Sequence, residues 1–289
     1  MLRFRADLKT LVWMGATTAL LLVQWRGDGH NWALYGVYLY LSISVAVTAH
    51  NHNHVRMWKS KALNHLTDLW ITLFYGFPIF GWIPTHNANH HKHNNRDPDH
   101  TKTWRFWEAN NLFTLAIYPA VSAYYQQRAI ARYFGELWSR NRGRFYAALS
   151  QVVVLVFWVV GALLLDWRKA LVYVLIPQQV SLTTVLIFNY LQHVHANEED
   201  DWNHSRNFTG PVLNFLLFNN GFHTVHHQTP GLHWSQTTAE HGRIQHNIRP
   251  SLNVSSAPWY MVRTFVLAPF VRGYRTRGMR VEREEAMKS

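Results

Sequence analysis

Two pairs of long apolar segments dominate the hydrophobic pattern of this chain. The first pair is residues 11–25 and 32–49, separated by the polar turn RGDGHN, and the second is residues 145–165 and 170–188, separated by DWRK. At about 1.5 Å per residue, each segment is about long enough to cross a hydrocarbon layer of roughly 30 Å. The pattern therefore predicts four transmembrane helices arranged as two hairpins, the last one kinked by Pro177.

Two further apolar runs, residues 66–84 and 112–125, are poor candidates for straight spans. The first contains Asp68 together with several glycines and prolines, and the second is only 14 residues long. A run of that length is closer to an interfacial or re-entrant segment than to a span. We expect both runs on, or partly in, the membrane interface.

The basic residues set the predicted orientation. With two hairpins, residues 50–144 and 189–289 lie on the same side as the N-terminus, and they carry an arginine-rich loop and a basic C-terminal tail. The opposite side carries only Arg26, Arg168 and Lys169 in its short loops. Because Lys and Arg concentrate on the cytoplasmic side, we expect the N-terminal side to be cytoplasmic. The fold expected for residues 1–289 is a single all-α integral membrane domain. Segments 50–144 and 189–289 then form a cytoplasmic helical cap, most simply at a bacterial inner membrane.

Composition excludes several classes of protein. The chain has no cysteine, which excludes disulfides, thiolate metal ligands and self-contained iron–sulfur clusters. Its net charge of +12 is spread through a chain with 14 Trp, 13 Tyr and 16 Phe. That distribution favours contact with membrane lipid and argues against nucleic-acid binding.

The chain contains 19 histidines, and most of them fall into four groups on the predicted cytoplasmic side. The groups are HNHNH (50–54), HNANHHKHNN (86–95), NYLQHVH (189–195) and HTVHH (223–227). Two of the groups begin where a predicted span leaves the membrane. On a helix, residues three or four apart share a face, so each group can present imidazoles together. The sequence therefore predicts a shared metal centre.

The number of imidazoles suggests two metal ions. The four groups can bring eight or nine imidazoles together, and a structural zinc site, which needs four ligands, would use only about half of them. Imidazole suits iron, copper and zinc alike. A binuclear centre at the end of an apolar bundle lies where a lipid-like chain can enter. Acid–base catalysis cannot remove hydrogen from an unactivated methylene, so this position argues for non-haem iron that activates O₂.

Three of the groups resemble the histidine boxes of membrane fatty acid desaturases and their hydroxylase relatives. HX₃H lies at 50–54, HX₃HH at 86–91 and HX₂HH at 223–227. NYLQHVHA is similar to the segment that precedes the third box in plant oleate desaturases. Asn189 and His193 match an Asn-x₃-His pair of stearoyl-CoA desaturases, in which the His is a ligand and the Asn acts through a bound water. The resemblance covers the whole order of elements along the chain.

The resemblance implies a set of metal ligands, with Asn189 acting through water and no catalytic residue beyond the ligands. His52, His93 and His195 are additional histidines in the groups, expected to be extra ligands or supporting polar residues. α-Helical geometry alone favours His93 over His91, whereas the family pattern favours His91, which we follow. The implied ligands are His50, His54, His86, His90, His91, His193, His223, His226 and His227.

The function implied is the O₂-dependent oxidation of a fatty acyl chain at two iron ions, most simply desaturation. The substrate can be a free acid, a CoA or carrier-protein thioester, or lipid-linked. Two electrons must come from an external donor, such as ferredoxin or cytochrome b5 with its reductase. A hydroxylase or ketolase, an oxidative decarboxylase that forms a terminal alkene, and a membrane metal-binding protein are the alternatives. A transporter is disfavoured because the four predicted spans contain no histidine.

Tyr35 and Tyr38 are candidates for the closed end of a substrate tunnel. They precede His50 by roughly 18–22 Å along a helix, a plausible depth for an acyl chain. An interfacial aromatic belt is the competing interpretation for Tyr35.

Overall fold

The structure is a computed structural model that describes residues 1–27 and 29–288. Asp28, in the predicted turn RGDGHN, lies outside the described residues. The chain divides into two compact units: unit 1 is Met1–Pro84 with Arg128–Val185, and unit 2 is Thr85–Gln127 with Leu186–Ser289.

The described residues are mostly helical, as the sequence predicts. In chain order the α-helices are α1 (Asp7–Arg26), α2 (Trp32–His54), α3 (Lys61–Tyr75), α4 (His91–His93), α5 (Leu112–Arg140), α6 (Arg142–Ala170), α7 (Ile176–His193), α8 (Pro211–Leu216), α9 (His223–Gln228), α10 (Thr237–Ile244), α11 (Ala257–Met261) and α12 (Met279–Ala286). Three segments are π-helical: Ile83–His90 directly before α4, Leu171–Leu175 between α6 and α7, and Val262–Leu267 directly after α11. Two short strands, β1 (Asn207–Phe208) and β2 (Asn253–Val254), pair in parallel.

Two helical runs in the described part of the chain are long and apolar enough to cross a membrane. They are Trp32–His54 and the 52-residue run Arg142–His193; the pair Lys61–Tyr75 and Ile79–His93 gives a third if it is counted as one span. The second run leaves Phe157 74% and Leu164 82% exposed, which is favourable against lipid. These helices indicate an integral membrane protein. The predicted first span, 11–25, lies within α1, which is not one of these runs. The predicted number of four spans therefore stays a prediction.

The predicted turn DWRK coincides with a break inside the long run Arg142–His193. The backbone of Asp166 leaves helical geometry, with φ −162° and ψ 101°. Its carboxylate accepts hydrogen bonds from the amides of Arg168 and Lys169, both at 3.0 Å. A carboxylate in this position caps the next helical segment.

Where the sequence predicts a kink at Pro177, the structure has a π-helical turn just before it, Leu171–Leu175. Proline has no N–H, so it cannot donate to the carbonyls four and five residues earlier, Tyr173 and Val172. Two tyrosine hydroxyls of unit 1 fill the gap. Tyr38 donates to the carbonyl of Tyr173 at 3.0 Å, and Tyr35 donates to that of Val172 at 2.9 Å. Both tyrosines are buried.

The two runs expected at the interface have sharper boundaries than predicted. Within 66–84, helix α3 ends at Tyr75, and Gly76 caps it with φ +80°. A Cβ at Gly76 would lie 2.5 Å from Cβ of Gln178, so both the backbone and the space require glycine. The run 112–125 is the first part of α5, which continues to Arg140.

Unit 2 holds its histidine-bearing elements with buried polar contacts. The side chain of Asn207, on β1, accepts a hydrogen bond from the amide of Thr224 and donates one to its hydroxyl, both at 2.9 Å. Gly221, just before α9, brings its backbone so close to β1 that an added Cβ would lie 2.0 Å from the Phe208 carbonyl oxygen. These contacts fix the start of α9 against the sheet.

The Tyr38 hydrogen bond gives a testable prediction about stability. We expect Tyr38→Phe to lower the apparent melting temperature of the detergent-solubilised protein by about 3–6 °C, because it leaves the Tyr173 carbonyl without a donor. In a Pro177→Ala background the loss should be less than half as large, since the new N–H can bond to that carbonyl. Tyr146→Phe, at an exposed position, is the control and should change little. Equal losses in both backgrounds would contradict the assignment.

Candidate metal centre

Seven of the nine predicted ligands lie in unit 2. His86, His90 and His91 lie on the π-helical segment Ile83–His90 and the start of α4, and His193 is the last residue of α7. The other three, His223, His226 and His227, lie on the short helix α9. The remaining two, His50 and His54, lie at the end of α2 in unit 1.

The first histidine cluster consists of His90, His193, His223 and His227. Their ligand nitrogens all lie within 4.8 Å of one another. The Nε2 atom of His193 is 3.1 Å from Nε2 of His90 and 2.9 Å from Nε2 of His223. His90, His193 and His223 are buried, and Nε2 of His227 is inaccessible and has no hydrogen-bond partner among the described residues.

The hydrogen bonds behind the rings determine which nitrogens carry protons. Nδ1 of His90 lies 2.8 Å from a carboxylate oxygen of Asp99, and Nδ1 of His193 lies 3.3 Å from the carbonyl oxygen of His204. These oxygens only accept, so in each ring Nδ1 is the donor. In the neutral rings the two Nε2 lone pairs then face each other at 3.1 Å. Such an arrangement is repulsive unless a cation lies between the nitrogens.

Burial keeps the imidazoles in the form that binds metal. Burial, followed by the neighbouring histidines, lowers the pKa of His227 well below its usual range. Burial likewise lowers the pKa of His204, whose ring centroid is 5.3 Å from that of His227, to about 4. Neutral imidazoles offer lone pairs, and a metal ion requires its ligands deprotonated. The donor set, all nitrogen and buried, fits a divalent transition metal.

Asp99 organises the surroundings of His90 and was missed by the sequence analysis. Its fully buried carboxylate accepts from His90, from the amide of Asn95 at 2.7 Å, and from the amide and hydroxyl of Thr101 at 2.7 and 2.8 Å. Burial alone would raise the pKa of Asp99, but His90 and the Thr101 hydrogen bonds hold it well below its usual range. A carboxylate in this position orients a ligand imidazole.

The asparagines after the second histidine box end the helix. Asn94 and Asn95 adopt positive φ values of 46° and 67°, which asparagine tolerates better than most residues. Asn95 is buried, and its side chain accepts from the amide of Thr103 at 2.7 Å. The reversal brings Asp99 back behind His90.

The second histidine cluster of unit 2 consists of His86, His91 and His226, whose ligand nitrogens lie within 4.8 Å of one another. Nε2 of His86 and Nε2 of His91 are 3.2 Å apart. The ring of His226 lies 4.6 Å from that of His91 and 5.7 Å from that of His86, measured between centroids. In unit 1, His50 and His54 share one face of α2, with ring centroids 5.1 Å apart.

The π-helical backbone explains why His91 joins His86. Residues five apart align on a π-helix, whereas residues three, four and seven apart align on an α-helix. α-Helical geometry had favoured His93 at position i+7. The structure instead brings His91, at i+5, to His86, and within the described residues His93 belongs to neither cluster.

The other histidines that sequence reasoning named have partners elsewhere. Nδ1 of His52 accepts from the Met57 amide at 3.3 Å, and its Nε2 lies 3.4 Å from Asp68. In His195, Nε2 donates to the carbonyl of Glu108 and Nδ1 lies 2.8 Å from the Thr276 hydroxyl.

Asn189 is linked to the first cluster through protein groups. Its side-chain amide donates to the hydroxyl of Tyr118 at 2.6 Å, and that hydroxyl donates to the carbonyl of Thr101, also at 2.6 Å. Thr101 in turn contacts both Asp99 and His90. The predicted role of Asn189 through a bound water stays a prediction.

Comparison with known proteins adds one match. The chain matches the family model described as Fatty acid desaturase over residues 30–270. No curated protein and no solved structure matches it. The match spans most of the chain and includes all four histidine groups, so this protein belongs to the fatty acid desaturase family.

Proposed function

We propose that this protein oxidises a fatty acyl chain with O₂ at two histidine-bound iron ions, and that the reaction is desaturation. The observation that carries the proposal is the convergence of imidazole Nε2 atoms in unit 2, with neighbouring nitrogens 2.9–3.2 Å apart. Family membership supports oxidoreductase chemistry in general. Iron held by imidazoles supplies the redox chemistry that activates O₂.

The proposed ligand set keeps all nine predicted histidines. The first cluster supplies four and the second supplies three, and the histidine-box pattern adds His50 and His54. In the second histidine box the third proposed ligand is His91 rather than His93. Asn189 is proposed to act through water, and His52, His93 and His195 are proposed to lie outside the ligand set.

The residues around the ligands have defined tasks. Asp99 holds His90 with Nε2 unprotonated, and the carbonyl of His204 does the same for His193. Burial of these rings excludes water, which suits a centre that must oxidise substrate rather than solvent. The exposed apolar helix faces indicate a membrane setting, which suits a fatty acyl substrate.

The reaction balances with an external donor. One –CH₂–CH₂– unit becomes –CH=CH–, and one O₂ becomes two waters with two electrons and two protons from outside. The chain has no cysteine for an iron–sulfur cluster, so a separate electron carrier is part of the proposal. We further propose four spans, a cytoplasmic site on the arginine-rich side, a bacterial inner membrane, and a substrate tunnel that ends at Tyr35 and Tyr38.

Lipid and hydrocarbon profiling of cells that express the protein tests the reaction. We expect fatty acyl chains with a new double bond, lost in His226→Ala and retained in the control His246→Ala, whose side chain is exposed. If hydroxylated or keto acids accumulate instead, the reaction is hydroxylation or keto-group formation. If terminal alkenes accumulate, it is oxidative decarboxylation. A profile identical to that of cells without the protein would contradict the proposal.

Asp99→Asn tests the arrangement behind His90. We expect metal affinity and turnover to fall by about 10–100-fold, as when a ligand histidine loses its supporting carboxylate. The matched control is Asp97→Asn, two residues away, whose side chain is 70% exposed and pairs with Lys102; it should retain wild-type affinity. Metal titration of both variants measures the effect. Equal metal affinities of the Asp99→Asn and Asp97→Asn variants would contradict the role assigned to Asp99.

A further inference from the structure

A cavity of about 630 Å³ lies in unit 2, separate from the two histidine clusters in its lining residues. This volume is within the range of pockets that hold drug-sized ligands. Much of its wall is apolar, contributed by residues such as Leu112, Phe113, Phe265, Ala268 and Val281. The cavity therefore suits a ligand with a substantial hydrocarbon part.

Apolar residues are also exposed around the cavity. Leu112 and Phe113, which line it, are 59% and 60% exposed, and Val266 and Phe270, which flank its wall in sequence, are 56% and 85% exposed. An apolar collar of this kind is favourable in the interfacial region of a bilayer. A hydrophobic ligand can then reach the cavity from lipid.

The cavity also carries a fixed positive charge. Arg275 lines it, and its guanidinium donates to the carbonyls of Ala268 at 3.1 Å and Pro269 at 3.3 Å. Among the described residues no ion pair with a carboxylate involves Arg275. By contrast, the two other charged lining residues are neutralised: Glu108 pairs with Arg280, and Arg277 pairs with Glu285.

A buried hydroxyl in the wall lacks a partner. Thr264 is 1% exposed and lines the cavity, yet its Oγ1 has no hydrogen-bond partner among the described residues. A buried polar group without a partner costs free energy that a ligand oxygen can recover. In the same wall the amide nitrogen of Asn110 donates to Thr276, which contacts His195, whereas Oδ1 of Asn110 also has no partner among the described residues.

We propose that this cavity binds a single-chain anionic amphiphile. Its alkyl chain lies against the apolar wall, and its carboxylate or phosphate binds Arg275, with Thr264 as a further hydrogen-bond donor. The proposal depends on this cavity alone and requires neither the metal ions nor turnover.

Photo-crosslinking with a diazirine-tagged long-chain fatty acid, in phosphatidylcholine nanodiscs, tests the site. We expect labelled peptides from residues 108–113 and 264–281. Arg275→Gln should reduce this labelling about tenfold, the worth of a charge-assisted hydrogen bond, while the matched control Arg272→Gln, an exposed arginine that does not line the cavity, should not. The corresponding diazirine fatty alcohol should label wild type and Arg275→Gln equally.

Further arms separate the possible outcomes. Ala268→Phe fills the cavity and should reduce labelling by both probes; if it does not fold, the surface variant Arg275→Gln decides. Competition by palmitate identifies a carboxylate head group and competition by lysophosphatidylglycerol a phosphate head group, and either supports the proposal. Labelling should persist in His227→Ala, so an error in the metal assignment leaves this result intact. Labelling elsewhere, insensitivity to Arg275→Gln, or no competition by either amphiphile would overturn it.

Discussion

Buried imidazole lone pairs that face one another repel, and unit 2 holds several pairs of imidazole nitrogens at 2.9–3.2 Å. His90 and His193 show the constraint most clearly, because acceptors behind both rings require Nδ1 to carry the proton. Protonating either Nε2 would relieve the repulsion but would place a charge in a buried site, which is costly. A metal ion instead accepts lone pairs from several imidazoles at once, and this coordination offsets the cost of burying its charge. The elements around the site are arranged to keep this geometry.

In unit 2, contacts around the ligands fix the elements that carry them. Asn207 and Gly221 hold the start of α9 against β1, and Asp99 reaches His90 because Asn94 and Asn95 reverse the chain. Tyr118 connects Asn189 on α7 with Thr101 in the same loop. We therefore expect a substitution at one of these positions to change the orientation of an imidazole while every ligand residue is still present.

Much of the fold was predictable from periodicity. Long apolar runs gave the helices, DWRK gave the break at Asp166, and α2 continues to His54 so that His50 and His54 share a face. The π-helical segments were not predictable, because their hydrogen-bond register depends on tertiary contacts. That register explains the placement of His91 beside His86. The π-helical turn Leu171–Leu175 likewise gives Tyr35 and Tyr38 a structural role in addition to the proposed tunnel role. Their hydroxyls donate to the carbonyls that Pro177 leaves without a donor.

The supporting shell of the site was the least predictable part. Asp99, Thr101 and Tyr118 follow the second histidine box without any spacing rule that marks them, and a single aspartate after a polar loop usually lies in solvent. Their role emerges only when the chain folds back on His90. The cavity at Arg275 is similar, since it combines the loop after the second box with the C-terminal segment.

The metal content of the purified protein tests the central claim most directly. Elemental analysis of the membrane-extracted chain, with protein concentration from amino-acid analysis, gives the ratio of each metal to the chain. The account predicts about two irons per chain, falling to about one in His193→Ala, which removes a ligand from the first cluster only. A single zinc per chain, or no metal at stoichiometric level in the folded protein, would contradict it.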